Sequence, residues 1–390
     1  MAPAPVGLTP PDYAGPQLAD VLPAAALSLD AGSVLAPERA ARAEALEPER
    51  GKRVVIVVLV DGLGAVLLRE RAAHAAFLRR QLPRMREISA GFPSTTANSL
   101  TSLGTGLPPV GHGVLGYTLL DPVRRVVFNQ LTWDRGPDPR TWVGGGSLFG
   151  ELAGAGIDVV SLGEPKFAGR GLNGSALGGG RFRGSKTLGE RVAQASAEAA
   201  KPGRRLIYLY WGALDKAGHG KGYDSFDWTT ALEEADRELS HLSRVCGGDV
   251  LMTIVADHGM VDVAEEQRVD MAGVPGLLDG VEFIAGEPRA RHIHTVPGAQ
   301  DAAAQAFSEL LGDRAAVLRR DEAIDGGWFG PTGTPLADEV RARIGDLVVV
   351  ADEGLGLVDS GHDTPTALRL IGQHGSVSRR ELSIPYIPVG

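Results

Sequence analysis

The chain has 390 residues, 43% of them apolar, which is enough for one large α/β domain with a smaller inserted one. It carries 39 basic and 48 acidic residues, and the net charge of −9 argues against binding of nucleic acid. The single cysteine, Cys246, excludes an internal disulfide and a multi-thiolate zinc site. The longest apolar run, Val54–Val60, is too short to cross a bilayer. Because no signal peptide is visible either, we expect a cytoplasmic protein that binds no membrane.

The order of predicted elements indicates an α/β fold. The alanine- and proline-rich start predicts a short helix in QLADVLPAAALSL, and the strand VVIVVLV is followed by a predicted helix in LGAVLLRERAAHAAFLRRQLP. A helix in TTANSLTSL is predicted to end at the glycines of GTG. The next predicted elements are GELAGAGIDVVSLG (helix, then strand), TTALEEADRELSHLSRV (long helix) and LMTIVAD (strand). This alternation predicts a mainly parallel central sheet with helices on both faces.

The regular alternation of predicted strands and helices stops between about residues 264 and 345. Short strands in VEFIAG and RARHIHTV and a helix in QDAAAQAFSELL predict a smaller α+β insert, after which the strand DLVVVAD is predicted to resume the central sheet. The chain therefore divides into an N-terminal extension with a short helix (1–52), the first part of a catalytic α/β core (53–263), the insert or cap (264–345) and the last part of the core (346–390).

Three strand-like runs end at a carboxylate: Asp61 follows VVIVVLV, Asp215 follows LIYLYWGAL, and Asp257 follows LMTIVA. An unpaired carboxylate beside a buried strand is costly, so three of them suggest a shared compensating charge. The carboxyl ends of parallel strands gather around one crevice, where ligands bind. A metal centre in this crevice would compensate all three carboxylates.

Histidines accompany two of these carboxylates. The spacing of Asp215 and His219 puts both side chains on one face of a helical turn, which suits capture of a metal, although an ordinary surface pair has the same spacing. Asp257 and His258 are adjacent and converge only if the strand ends there. His374 has a similar glycine-flanked position near the C-terminus. Mixed nitrogen and oxygen ligands favour Zn²⁺, with Mn²⁺ as the alternative.

Hydroxyl side chains follow Pro93 in the segment FPSTTANSL. Ser94, Thr95 and Thr96 there are explained by a helix N-cap alone. The same helix N-terminus could also receive a phosphoryl group and present a threonine hydroxyl that a bound cation activates as a nucleophile.

Together, LVDG, TTANSLTSLGTG, DKAGH, ADHG and HGS resemble the alkaline phosphatase superfamily and, within it, the type I phosphodiesterase/nucleotide pyrophosphatase family. The likeness runs from about residue 53 to residue 387. Aligned on Thr105–Gly106, it implies that Thr96 is the nucleophile, with Thr95 as the less favoured neighbour. It also implies that one metal is held by Asp61, Thr96, Asp257 and His258, and the other by Asp215, His219 and His374.

The chain departs from the family pattern at two points. ANSL follows Thr96 where the family has FPNH, and HGVLGYT replaces a segment that carries an asparagine. Tyr117 in that segment is a candidate hydrogen-bond donor to the phosphoryl group or an ordinary half-buried tyrosine. Lys166 and Arg170 are weaker candidates for binding a terminal phosphate, because loop cations are usually just solvated. The nucleophile pattern of the sulfatases is absent.

The remaining histidines are weaker candidates. His292 and His294 alternate on a predicted strand and either line the site from the insert or lie on a partly exposed strand edge. His362 is predicted to be a loop residue, and His112 is predicted to serve packing.

These observations predict a hydrolase of phosphate esters, most specifically a phosphodiesterase/nucleotide pyrophosphatase that uses two divalent metals and a phosphothreonine intermediate. Its expected partner is a small phosphate ester or nucleotide, and the sequence says nothing about oligomeric state. The alternatives are a phosphomonoesterase, phosphonate hydrolase or phosphomutase on the same core, or a metal-bound protein without catalysis.

Overall fold

The computed structural model describes residues 8–390, and its framework is a seven-stranded sheet. In chain order the strands are β1 (Val54–Val60), β2 (Arg86–Ser89), β3 (Thr118–Asp121), β4 (Val126–Asn129), β5 (Asp158–Gly163), β6 (Arg181–Gly184), β7 (Arg205–Trp211), β8 (Val250–Val255), β9 (Val261–Asp262), β10 (Arg268–Asp270), β11 (Val281–Glu287), β12 (Ala290–Thr295), β13 (Ala315–Arg319), β14 (Leu347–Ala351), β15 (Gly356–Val358), β16 (Gly372–Gln373) and β17 (Ser383–Val389).

The helices surround this framework. In chain order they are α1 (Val21–Ser28), α2 (Pro37–Ala43), α3 (Ala65–Glu70), α4 (Ala76–Gln81), α5 (Thr96–Thr105), α6 (Pro109–His112), α7 (Pro139–Trp142), α8 (Leu148–Gly154), α9 (Leu188–Ala199), α10 (Ala213–Lys221), α11 (Phe226–Leu242), α12 (Gln300–Leu311), α13 (Arg320–Asp325), α14 (Asp338–Arg341) and α15 (Arg379–Leu382). None of the helices within residues 8–390 combines the length and apolar character needed to cross a bilayer.

The central sheet has the strand order β2-β17-β8-β1-β7-β5-β6. All its strands run parallel except β17, which is antiparallel to both neighbours. Every residue of β1 is buried, and because successive side chains point to opposite faces, both faces of the sheet are covered there. The predicted mainly parallel α/β sheet is thereby confirmed.

The centre of this sheet sets up the site. Strands β8, β1 and β7 are neighbours, with Leu59 paired to Val255 and Val60 paired to Trp211. Their carboxyl ends therefore stop at nearly the same level. The residues that follow each strand emerge side by side at one edge, as expected for parallel neighbours.

The predicted helix from residue 63 to residue 83 is wrong as one element, because it is broken into α3 and α4 with 3₁₀ turns after each. The buried carboxylate of Asp236 explains the break. It accepts hydrogen bonds from the backbone N–H groups of Phe77 and Leu78, at 3.0 and 2.7 Å, in the first turn of α4. Asp236, more than 150 residues away in the chain, thus caps the N-terminus of α4, and this favours a new helix start over continuation of α3. The spacing of apolar residues between 63 and 83 does not reveal such a cap.

The smaller sheet has the order β11-β12-β14-β13. The prediction that DLVVVAD returns to the central sheet is wrong, because this segment forms β14 between β12 and β13. Its alternate side chains serve two different cores. Val348 and Val350 join a cluster that includes Trp328 and Phe329, whereas Leu347, Val349 and Ala351 pack with α12. A strand buried on both faces has the same apolar sequence in either sheet. The proposed division into domains remains a prediction.

The N-terminal segment contains the predicted short helix, α1, whose residues are all buried. It packs with the central core through residues such as Leu22 and Leu27. The first seven residues of the predicted 1–52 extension lie outside the described residues.

Candidate metal centre and active site

Three carboxylates emerge where the sheet geometry puts them. Asp61 directly follows β1, Asp257 comes two residues after β8, and Asp215 lies in the first turn of α10, which follows β7. Asp61 and Asp257 are 2% and 0% exposed. A Cβ on Gly62 would lie 3.1 Å from the Cα of Asp215, so this glycine lets the turn after β1 pass close to α10.

The first cluster consists of Asp61, Thr96, Asp257 and His258. His258 Nε2 lies 3.1 Å from Thr96 Oγ1. The same nitrogen lies 3.5 Å from a carboxylate oxygen of Asp61 and 3.5 Å from one of Asp257. Four potential ligand atoms therefore surround one point next to the end of β1.

The second cluster consists of Asp215, His219 and His374. The two imidazole Nε2 atoms are 3.2 Å apart, and His219 Nε2 is 3.4 Å from an oxygen of Asp215. His374 Nε2 is 3.7 Å from the other oxygen of Asp215. The rings of His258 and His374 stack with centroids 3.6 Å apart, so the two clusters form one continuous site.

Hydrogen bonds at Nδ1 orient all three imidazoles. The Nδ1 atom lies 2.7 Å from the Gly372 carbonyl in His219, 3.0 Å from the Gly259 carbonyl in His258 and 2.9 Å from the Ser94 carbonyl in His374. Since a carbonyl only accepts, each Nδ1 donates its proton, and the lone pair of the neutral ring is at Nε2, facing the cluster. Burial, assisted by the neighbouring histidines, holds the pKa of His374 well below its ordinary value.

The polar atoms of both clusters fit divalent cations. The buried oxygens Asp61 Oδ1, Asp215 Oδ1 and Asp257 Oδ2 have no hydrogen-bond partner within residues 8–390. Burial, with the charges of Asp257 and Asp215, raises the pKa of Asp61 well above its ordinary value. Tetrahedral ligands about 2.0–2.1 Å from an ion lie about 3.3 Å from one another, close to the distances found here. Cations at these points would satisfy the orphaned oxygens and the facing lone pairs together.

Thr96 lies where two cavities meet. It begins α5, is 7% exposed and is preceded by Thr95 at the N-cap position. The larger cavity, about 920 Å³, is also lined by the second cluster, Tyr117 and β11 of the smaller sheet. The smaller cavity, about 470 Å³, is lined by aromatic and aliphatic side chains, among them Phe167 and Tyr210. A group bound at Thr96 can therefore extend in two directions.

The weaker candidates lie around these cavities. Tyr117 lines the larger cavity and is 39% exposed, and burial of its ring raises its pKa. Lys166 and Arg170 line the smaller cavity. The Lys166 ammonium is exposed and lies 2.8 Å from Glu164, so its charge is already paired.

The other histidines have separate places. His292 and His294 are both buried in β12, so the prediction that they lie on a partly exposed strand edge is wrong. His292 Nε2 donates a hydrogen bond to the Leu115 carbonyl, 2.9 Å away. His112 is fully buried, 2.9 Å from the Ser102 hydroxyl, as a packing residue would be. His362 lies in an exposed turn at the rim of the larger cavity.

Two polar residues of the site, Tyr210 and Glu287, are not indicated by the sequence pattern. The Tyr210 hydroxyl donates to Asp61 Oδ2, the carboxylate oxygen that does not face His258. Glu287, at the end of β11, reaches the larger cavity from the smaller sheet. The alternation in LIYLYW leaves open which tyrosine faces the site, and Glu287 is brought there only by the packing of the two sheets.

A mainly parallel α/β sheet that gathers aspartates and histidines beside a helix-terminal threonine is typical of the alkaline phosphatase superfamily, and this chain belongs to that class. More narrowly, it matches the type I phosphodiesterase/nucleotide pyrophosphatase family over residues 55–377 and belongs to that family. It is therefore a metal-dependent phosphoric ester hydrolase. Two groups of residues bring one ligand atom each within 4.8 Å of one another and could hold an ion: Asp61, Asp257 and His258, and Asp215, His258 and His374. His258 thus belongs to both groups, and His219 adds a further nitrogen beside the second.

Individual relatives are distant. Human ectonucleotide pyrophosphatase/phosphodiesterase family member 5 is 21% identical over 349 residues, covering 85% of this chain and 67% of the relative. The structure of murine ectonucleotide pyrophosphatase/phosphodiesterase 5 superimposes on this chain with a TM-score of 0.68 at 20% sequence identity. The match covers 86% of this chain and 87% of the murine one. An inactive murine variant in complex with AMP also has a TM-score of 0.68, at 18% identity and the same coverage.

Proposed function

We propose that this phosphodiesterase works through a covalent phosphothreonine at Thr96, with a divalent ion in each of the two clusters. The observation that carries the proposal is the convergence at Thr96 Oγ1: His258 Nε2 lies 3.1 Å away, and the orphaned carboxylate oxygens lie beside it. When bound, the ions supply activation of the threonine hydroxyl and neutralisation of charge on the phosphoryl oxygens.

The residues of the chain divide the work between the two clusters. Asp61, Asp257 and His258 orient Thr96, whose Oγ1 attacks phosphorus in line while the bond to the leaving oxygen breaks. Water then attacks the phosphothreonine from the side of Asp215, His219 and His374, and Thr96 leaves. Two in-line displacements give net retention of configuration at phosphorus.

The two cavities favour a diester over a monoester. A diester has one substituent that stays on phosphorus and one that leaves, and Thr96 lines a separate cavity for each. The smaller, aromatic cavity suits the retained group, a nucleoside for instance. The murine relative was solved in complex with AMP, which supports a small nucleotide as substrate. The larger cavity, next to the second cluster, suits the leaving group.

The phosphomonoesterase alternative requires a cation for the terminal phosphate. Lys166 and Arg170 are the residues predicted for this role. The pairing of Lys166 with Glu164 argues against Lys166, so a monoesterase would depend on Arg170. Zn²⁺ is the proposed metal, since the two clusters contain three imidazole nitrogens, and Mn²⁺ is the alternative.

The test compares bis-p-nitrophenyl phosphate with p-nitrophenyl phosphate in the zinc-loaded protein. We expect higher kcat/KM for the diester, and a preference for the monoester would overturn this proposal. Thr96→Ala should retain about two ions per chain and lose activity by several orders of magnitude. Its matched control is Thr95→Ala, at a neighbouring buried hydroxyl, which should stay within a few-fold of wild type. Full activity in Thr96→Ala would move the nucleophile to Thr95 or refute covalent catalysis.

A further inference from the structure

Ser94 lies two residues before Thr96 and contacts the chain around His374. It is fully buried, in the short segment between the cis peptide Phe92–Pro93 and helix α5. Its neighbours in space are residues 374–376, which are 280 positions or more away along the chain. Ser94 thus connects the segment that carries Thr96 with His374 of the second cluster.

Every hydrogen-bonding group of Ser94 is used on these three residues. Its backbone N–H donates to the Gly375 carbonyl at 3.3 Å, and its carbonyl accepts from His374 Nδ1 at 2.9 Å. Its hydroxyl donates to the Ser376 carbonyl at 2.7 Å and accepts from the Gly375 N–H at 3.1 Å. Four hydrogen bonds therefore fix the height and the ring orientation of His374 relative to α5.

The far side of the same loop is also anchored. Glu381 accepts from the Ser376 N–H at 2.9 Å, and its own carboxylate is held by Arg289 at 2.8 Å in an ion pair with both side chains fully buried. The backbone carbonyl of Glu381 accepts from the Gly259 N–H at 2.8 Å, next to His258. These contacts hold the loop at Ser376, whereas Ser94 holds it at His374 and Gly375.

We propose that Ser94 is a positioning residue that sets the distance between Thr96 and the second cluster. Its carbonyl holds His374 Nδ1, and its hydroxyl holds the backbone of Gly375 and Ser376 beside that histidine. The inference rests on the proposed function, because it assigns His374 to a metal. Removal of the hydroxyl leaves the buried Gly375 N–H and Ser376 carbonyl without their partner, and the loop shifts to satisfy them. The shift moves His374 Nε2, while the first cluster keeps its geometry.

The chain offers a matched control on α5. Ser99 is also fully buried, but its hydroxyl has no hydrogen-bond partner in the part of the chain that the structure describes. Ser99→Ala removes the same atom as Ser94→Ala without breaking a hydrogen bond. Ser94→Thr retains the hydroxyl and serves as the rescue variant.

The experiment measures zinc binding to the metal-free variants by calorimetry, together with kcat and KM for bis-p-nitrophenyl phosphate. A change in the outer contacts that orient a metal-bound histidine costs about tenfold to hundredfold in metal affinity or activity. Ser94→Ala keeps the carbonyl that accepts from His374 Nδ1, so it acts by displacing the backbone of Gly375 and Ser376. We expect Ser94→Ala to weaken one of two zinc sites by at least tenfold and to lower kcat similarly, with KM within about threefold. Ser94→Thr should recover most of both, and Ser99→Ala should match wild type.

Two outcomes would overturn the assignment. The first is Ser94→Ala with both zinc affinities and kcat within twofold of wild type, even if the variant melts at a lower temperature. The second is an equal loss in Ser99→Ala, which would show a general packing effect in α5. A wild-type protein that binds no zinc and cleaves no diester would instead refute the proposed function.

Discussion

Replacement of Glu287 by glutamine should stabilise the metal-free protein in a pH-dependent way. Glu287 is 4% exposed, and one of its oxygens accepts from the Tyr117 N–H at 2.8 Å. The other, Oε1, is buried without a hydrogen-bond partner in residues 8–390. Burial raises the pKa of Glu287 from 4.5 to about 8, although the Tyr117 hydrogen bond and the charge of Arg291 oppose the shift.

The sign and size of the effect follow from proton linkage. Between pH 4.5 and 8 the folded protein keeps the Glu287 proton that the unfolded chain releases, so its free energy of unfolding falls as the pH rises. At about 1.4 kcal/mol per pH unit, the loss reaches about 3 kcal/mol at pH 7. Glutamine stays neutral and can still accept from Tyr117. We therefore expect Glu287→Gln to be more stable than wild type by about 3 kcal/mol at pH 7 and by less than about 1 kcal/mol at pH 5.

Urea unfolding in the presence of a chelator, at pH 5, 6, 7 and 8, measures this difference. Glu282→Gln is the matched control, because Glu282 lies on the same strand but is exposed and paired with Arg125. Its effect should stay within about 0.5 kcal/mol at every pH. A constant difference between Glu287→Gln and wild type from pH 5 to 8 would refute the reasoning.

Three further predictions concern the surroundings of the metal centre. Gly259→Ala should destabilise the protein by about 3 kcal/mol or more in urea unfolding, because the new Cβ would lie 1.8 Å from the Arg380 carbonyl oxygen. Arg289→Met should cost about 3–5 kcal/mol in the same assay by leaving the Glu381 carboxylate buried and unpaired, and the double variant with Glu381→Leu should recover much of it. Chelation should abolish activity and lower Tm, and zinc at 100 times its Kd should restore about 2.7 kcal/mol per site in the unfolding free energy.

The sequence predicted the meeting of the three carboxylates because each comes at or just after the end of a predicted strand of a parallel sheet. Asp61, Asp215 and Asp257 each come after an apolar run, and parallel neighbours present their carboxyl ends at one edge. His219 and His258 are close to Asp215 and Asp257 in the chain, so their place at the same edge of the sheet was predicted together with these carboxylates. His374 was placed by resemblance, since nothing in its local spacing shows that the loop after β16 crosses to Ser94.

What the sequence could not provide depends on packing between distant segments. The cap by Asp236 divides a continuous helical pattern, and the valines of β14 fit either sheet. His292 and His294 alternate as site residues would, but they lie buried in the smaller sheet. The roles assigned to the seven residues of the two clusters stay predictions until the variants are measured.

The seven residues of the two clusters are spread from position 61 to position 374, on segments that meet only in the finished fold. Ions bound there would tie β1, β8, α5, α10 and the loop after β16 together, much as a cross-link does. A shortened chain that lacks its last twenty residues would lose His374 and with it the second of these ties. Zinc affinity is thus a readout of whether the entire polypeptide has reached its native arrangement, which makes metal titration a sensitive assay for misfolded preparations.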